Sequence, residues 1–134
     1  YIDRKNSTNV GLFDSDINEL LNMYARPQDN GNRTDIRWVN FSNKNGTSLK
    51  FMGAEYLNFS ASHYKTEDLD SGKSNKTTQK HGRLLEPRSE VYVNIDGFTS
   101  GVACVNSWGT LPRPEYMLPY QDYYYSYWMV PSKK

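Results

Sequence analysis

One cysteine, Cys104, stands in 134 residues, so no disulfide within the chain can staple it and its order must come from packing. Histidine is almost as scarce: His63 and His81 are flanked by no metal-ligand spacing, and both read as solvent-facing or satisfied side chains, with no metal site. No run approaches 18 apolar residues, which excludes a membrane-spanning helix. Lys and Arg number 16 against 15 Asp and Glu, a net charge of +1. That balance gives no electrostatic footprint for nucleic acid or an anionic membrane. A phosphate-cradling glycine loop is also missing. No initiator Met, signal peptide or lipidation motif stands at Tyr1, and an opening YIDRK that is already in mid-pattern reads as a piece of a longer polypeptide.

What the chain has in quantity is aromatic side chains with polar handles. Eleven Tyr and three Trp sit in a chain that is only 37% hydrophobic, a composition suited to sheets with one wet face, to interfaces and to sugar-binding surfaces. The length fits one domain, residues 1–134. From Ser71 to Leu85 the charges are all basic (Lys73, Lys76, Lys80, Arg83) with no interleaved aromatics, which reads as a solvated loop. Six Asn-X-Ser/Thr sequons, at Asn6, Asn32, Asn40, Asn45, Asn58 and Asn75, follow from an Asn- and Ser-rich composition.

The periodicities are those of strands. Asp14–Met23 holds at best a short helix, and RPQDNGNR is a loop in which Gly31 permits a positive φ. In RTDIRWVNF, Thr34, Ile36 and Trp38 fall on one face and Asp35 and Arg37 on the other. NKNG, residues 43–46, is a hairpin signal. TSLKFMG and EYLNFSAS read as two successive strands, with Leu57, Phe59 and Ala61 alternating with Tyr56, Asn58 and Ser60. HYKTEDLD holds a single helical turn, with a Thr cap and acids in its first turn. EVYVNID is a strand with Val91, Val93 and Ile95 on one face, TSGVACV extends the meander, and PEYMLP is a short edge strand. DYYYSYWMV is apolar on both sides, which predicts an interior strand covered on both faces. Without helices for parallel crossovers, the fold class is all-β, an antiparallel β-sandwich.

Catalytic chemistry is thin. Glu67, Asp68 and Asp70 cluster, but acids in a helix's first turn are explained by its dipole. Asp96-Gly97 is a turn signature. Cys104 reads as a small buried thiol. No pair of acids suggests a glycosidase centre. The segment CVNSWGT, residues 104–110, is different. Its turn residues mark a surface loop, yet it carries Trp108. Two readings are open: a plug folded back over the core, or a flat platform awaiting something to stack on it.

Four stretches bear on that choice. YIDRK, MYARPQDNGNRTDIRW, LNFSASHYKTEDLD and VNIDGFTSGVACVNSWG together, in this order, resemble the C-terminal small-chain region of the large bacterial β-galactosidases of glycoside hydrolase family two. The resemblance runs essentially from end to end and covers the second part of that region. Departures are Asp29 where the family usually has Glu, Val102 to Asn106 where it commonly has glycines and acids, and QKHGRLLEPR in place of a His-rich strand, so no role passes to His81.

The resemblance implies part of a larger supersandwich-type β-domain, joined to the remaining domains of the same polypeptide, soluble and bacterial, cytoplasmic or periplasmic. The catalytic glutamates would lie on a barrel outside this chain, together with Mg and Na ions, so the chain holds no catalytic residue, metal or cofactor of its own and is inactive alone. The family is often oligomeric, which implies a homo-oligomer. The implied substrate is a terminal β-D-galactoside such as lactose, and Trp108 falls on the family's Trp that stacks on sugar beyond the galactose. Gly31 and Arg33 read as structural. The competing readings are a free-standing carbohydrate-binding module using Trp108 and exposed Tyr residues, and a purely structural β-sandwich.

Overall fold

The computed structural model describes residues 1–25, 30–69, 85–103, 106 and 108–133. Its regular elements are four strands, β1 (Arg33–Ser42), β2 (Thr47–Ser62), β3 (Tyr92–Asp96) and β4 (Tyr127–Lys133), with a single helical turn, α1 (Thr66–Leu69). The expected all-β, antiparallel class is what the chain adopts. One sheet runs in the order β1-β2-β3, with β4 also paired to β2. β1 pairs along β2 from Ser48 to Phe59, and β4 pairs with β2 from Thr47 to Gly53. A strand has only two edges. β1 fills one, so β3 and β4 share the other, end to end. No second sheet stands opposite this one among the described residues.

Contacts divide the chain into two compact units, Tyr1–Val10 with Arg33–Phe59 and Ile95–Lys134, and Gly11–Asn32 with Ser60–Asn94. In the first, the hairpin turn is built as NKNG dictates. The Asn43 side chain accepts from the amides of Asn45 and Thr47, and Gly46 takes φ 78°. The expected pair of strands beyond it is one 16-residue strand, sharply bulged. One β1 residue, Arg37, faces four of β2, Gly53 to Tyr56. A Cβ on Gly53 would strike the Glu55 carbonyl oxygen, so only glycine fits the bend. The bend brings Phe59 edge-on to Phe41, centroids 6.0 Å apart, and Phe51 also meets Phe41 edge-on at 6.1 Å. Phe51, Leu57 and Phe59 are buried there.

The bulges also correct the expected faces of β1. Asp35 has φ 57° and the register shifts on both sides of Ile36. Beyond the shift Val39 and Phe41 turn inward and Trp38 outward, because a slip of register exchanges the two faces of a strand. Asn58 joins the buried set, which alternation alone did not place there. Its Oδ1 accepts from the Asp35 amide at 3.3 Å and its Nδ2 donates to the Asp96 carbonyl at 3.4 Å.

The final strand differs from expectation as well. Residues 121–126 are irregular and β4 begins only at Tyr127. The tyrosines before it spend their hydroxyls on backbone: Tyr123 donates to the Pro119 carbonyl at 2.6 Å and Tyr125 to that of Ile95 at 3.1 Å. β4 is not interior. It pairs with β2 alone among the described residues and its side chains are exposed on both faces. Pro131 suits such an edge, since it has no amide to give a further neighbour. PEYMLP is not a strand either. Pro114–Tyr116 form a 3-10 turn, proline being pre-set for a first helical position. No strand forms over 97–103, so the meander does not continue there.

In the second unit, the expected helix over Asp14–Met23 shrinks to a 3-10 turn, Ile17–Glu19. It is closed by a capping box in which Asp16 accepts from the Asn18 amide at 2.9 Å and Glu19 from the Asp16 amide at 3.1 Å. Gly31 has φ 88° as anticipated, with the Leu20 carbonyl oxygen where a Cβ would stand. The turn α1 forms where expected, except that Asp68 caps it by accepting from the Lys65 amide at 3.0 Å.

Candidate functional site

The loop that carries Trp108 grows from a clamp at its base. Asp3 sits in the opening 3-10 turn, Ile2–Ser7, its side chain only 4% exposed. Its Oδ2 accepts from the amides of Val102 (3.1 Å) and Ala103 (2.8 Å). Arg4 donates to the Ala103 carbonyl. A Cβ on Gly101 would lie 2.9 Å from the Asp3 carboxyl, so glycine is what lets the acid come so close. Burial raises the pKa of Asp3, but the two amide bonds and the adjacent Arg4 outweigh it and hold the carboxyl below its ordinary value. An ionised acceptor makes such bonds stronger. Ala103 takes φ 55°, a costly conformation for alanine that the clamp holds in place.

At the tip, Asn106 replaces missing secondary structure. Its Oδ1 accepts from the amides of Trp108 (2.9 Å) and Thr110 (3.4 Å), and its Nδ2 donates to the Thr110 hydroxyl. Gly109 completes the turn at φ 78°. The ring between them is not tucked in: Trp108 is 91% exposed. Of the two readings open for this side chain, the geometry is that of a projecting indole rather than a plug. Cys104, Val105 and Ser107 lie outside the described residues.

Among the described residues the other candidates do not assemble into a catalytic centre. Asp68 forms a two-pronged ion pair with Arg88, Nε–Oδ2 and Nη2–Oδ1 both 2.7 Å, and His63 Nδ1 lies 3.0 Å from the Glu90 carbonyl. A cavity of about 330 Å³ in the second unit is edged by Ser60, Tyr64, Lys65, Glu67, Tyr92 and Asn94. Among the described residues Glu67 is the only carboxylate of its lining. Among the described residues no three His, Cys, Asp or Glu side chains converge as a metal site. His81, Asp70 and Asp29 lie outside them. Sequence reading missed the roles of Asp3 and Asn106. An Asn two residues before a loop Trp was the available signal for the second; nothing local announced the first, whose partners stand about a hundred residues away.

A family model described as β-galactosidase small chain matches residues 1–129. The chain belongs to that family. It is 30% identical to the β-galactosidase of Leuconostoc mesenteroides over 127 residues, which cover 95% of this chain and 11% of that protein. The β-galactosidase of Pseudoalteromonas haloplanktis is 33% identical over 126 residues, 94% of this chain and 11% of its own length. That of Priestia megaterium is 28% identical over 118 residues, with coverages of 88% and 11%. This small-chain region therefore spans about a tenth of the relatives it matches. The resemblance seen in YIDRK, RPQDNGNR, NIDGF and SWG extends over nearly the whole sequence.

Proposed function

We propose that this chain is a non-catalytic domain of a β-galactosidase and that Trp108 forms part of the wall against which substrate sugar stacks. The observation that carries the reading is an indole almost wholly in water, on a loop braced at its base by Asp3 and at its tip by Asn106. A braced, exposed indole loses little freedom on binding, and the C–H face of a pyranose lies well on it. Family membership supplies the enzyme to which such a wall would belong. The acids that cleave the bond, the ions that assist and the rest of the subsite then come from other parts of the same polypeptide, and residues 1–134 act as one β-domain within it.

The test is Trp108→Ala in the full-length enzyme. Stacking of this kind contributes about 1–2 kcal/mol, so affinity for galactoside substrate and glucose-like acceptors falls about tenfold. The melting temperature stays within a degree or two of wild type, since an exposed ring contributes little to folding. A core plug behaves oppositely, losing about 3–5 kcal/mol of stability on truncation to alanine. A collapsed melting temperature with unchanged affinity overturns the proposal.

A further inference from the structure

The register of the sheet places two tryptophans on one face. Trp38 of β1 pairs with Met52 of β2, and Met52 pairs in turn with Trp128 of β4. Directly opposed residues of antiparallel strands point to the same side, so Trp38, Met52 and Trp128 form a row across three strands. Two strand spacings separate the indoles, about 9–10 Å. Trp38 is 45% exposed and Trp128 58%. The aromatic core of the unit, Phe41, Phe51 and Phe59, is on the opposite side, because Phe51 neighbours Met52 in the strand and the two must point apart. The tryptophan row is thus the outer face of the sheet, on the side away from that core.

Hydrogen-bonding groups follow the indoles along the strands. The next row on this face is Asn40, Lys50 and Val130; the one after it is Ser42, Ser48 and Ser132, with the Ser48 and Ser132 hydroxyls 2.8 Å apart. Lys50 is the one charged residue of the three rows, and its Nζ lies 4.5 Å from the centre of the Trp38 ring. That charge discriminates between occupants. An apolar protein layer laid over this face would bury the ammonium without a counter-charge, at a steep cost. A ligand with apolar C–H faces and many oxygens satisfies indoles, lysine and carboxamide together.

We propose that this outer face is a carbohydrate-binding platform, separate from the Trp108 loop, for a β-linked oligosaccharide lying across the strands. Two of its pyranose rings rest on Trp38 and Trp128, spaced as every second sugar is along an extended β-linked chain. Hydroxyls between them reach Asn40 and Lys50. The platform retains the protein on polymeric substrate and needs nothing from the Trp108 loop.

Affinity electrophoresis of the full-length polypeptide through gels containing soluble galactan, xylan or mixed-linkage glucan tests this. The expected result is retardation on at least one polymer, weakened about tenfold by Trp38→Ala and by Trp128→Ala. The melting temperature and the turnover of a small chromogenic galactoside stay as in wild type in the two platform variants. Wild type that migrates freely through all three polymers overturns the proposal, and so does retardation that survives both platform substitutions. A marked fall in melting temperature, or a loss of assembly, in both platform variants also overturns it, because the face would then be an internal interface of the enzyme.

Discussion

Asn58 was legible in the sequence as a polar residue between Leu57 and Phe59, on the face expected to be wet. It is 5% exposed, and its carboxamide joins two strands by serving a donor on Asp35 and an acceptor on Asp96. The Asn58-Phe59-Ser60 sequon is therefore not available to a glycan in the folded chain. Replacing Asn58 with leucine keeps the volume and removes the bonds to the Asp35 amide and the Asp96 carbonyl; stranding the Asp35 amide costs about 1–3 kcal/mol. Chemical denaturation of Asn58→Leu should show a midpoint clearly below wild type; an unchanged midpoint means water serves both groups and the residue is dispensable. Trp108 was the better-marked residue. Turn chemistry around a tryptophan pointed to a loop, and the loop is there. What composition could not supply was the distant Asp3 carboxylate, which holds the Val102 and Ala103 amides at the loop's base.

Among the elements, the hairpin, α1 and the cores of β1, β2 and β3 were readable because each is a local pattern: Asn-Gly, a first turn rich in acids, a period of two. The errors fall where a bulge or a proline interrupts the pattern. Ile36 and Trp38 share a face only if the strand is regular, and the residues Gly53 to Tyr56 facing Arg37 break that condition. DYYYSYWMV failed for another reason. Tyrosine supplies strand-like apolar spacing while its hydroxyl can bind backbone outside a ladder, as at Tyr123 and Tyr125. The turn α1 also carries a pH prediction. Arg88's paired hydrogen bonds, then the Lys65 amide, hold the Asp68 carboxyl down to about 2. A lowered pKa contributes stability that is complete above the unfolded value of about 4 and is lost as pH falls through the folded one. Wild type should therefore lose part of its stability between about pH 4 and pH 2. Asp68→Asn should be less stable at neutral pH and flatter across that window. Parallel acid titrations of the two proteins give the comparison, and identical slopes show that the pair contributes nothing.

For the whole molecule, the deciding feature is that β4 has two apolar faces with different surroundings. Tyr127 and Met129 continue the inner face, with Tyr127 5.9 Å from the Phe51 ring and Met129 paired opposite Phe51 yet 56% exposed. Trp128 and Val130 belong to the outer face with Lys50. An exposed patch continuous with a buried core is the kind that seeks cover, whereas a platform containing a lysine and a row of serines can stay wet. The sandwich expected from the sequence would complete itself by covering the inner side, using other parts of the enzyme in which we place this chain. Produced as residues 1–134 alone, the protein should then associate with itself through the inner face as concentration rises. Sedimentation of three proteins decides the matter. Met129→Lys should shift the wild-type distribution towards monomer, because a charge there opposes burial, while Trp128→Lys should leave association as strong as before. The reverse pattern would make the outer face the adhesive one and would count against its role as a sugar platform. A monomer at every concentration for wild type would show that the inner face needs no cover.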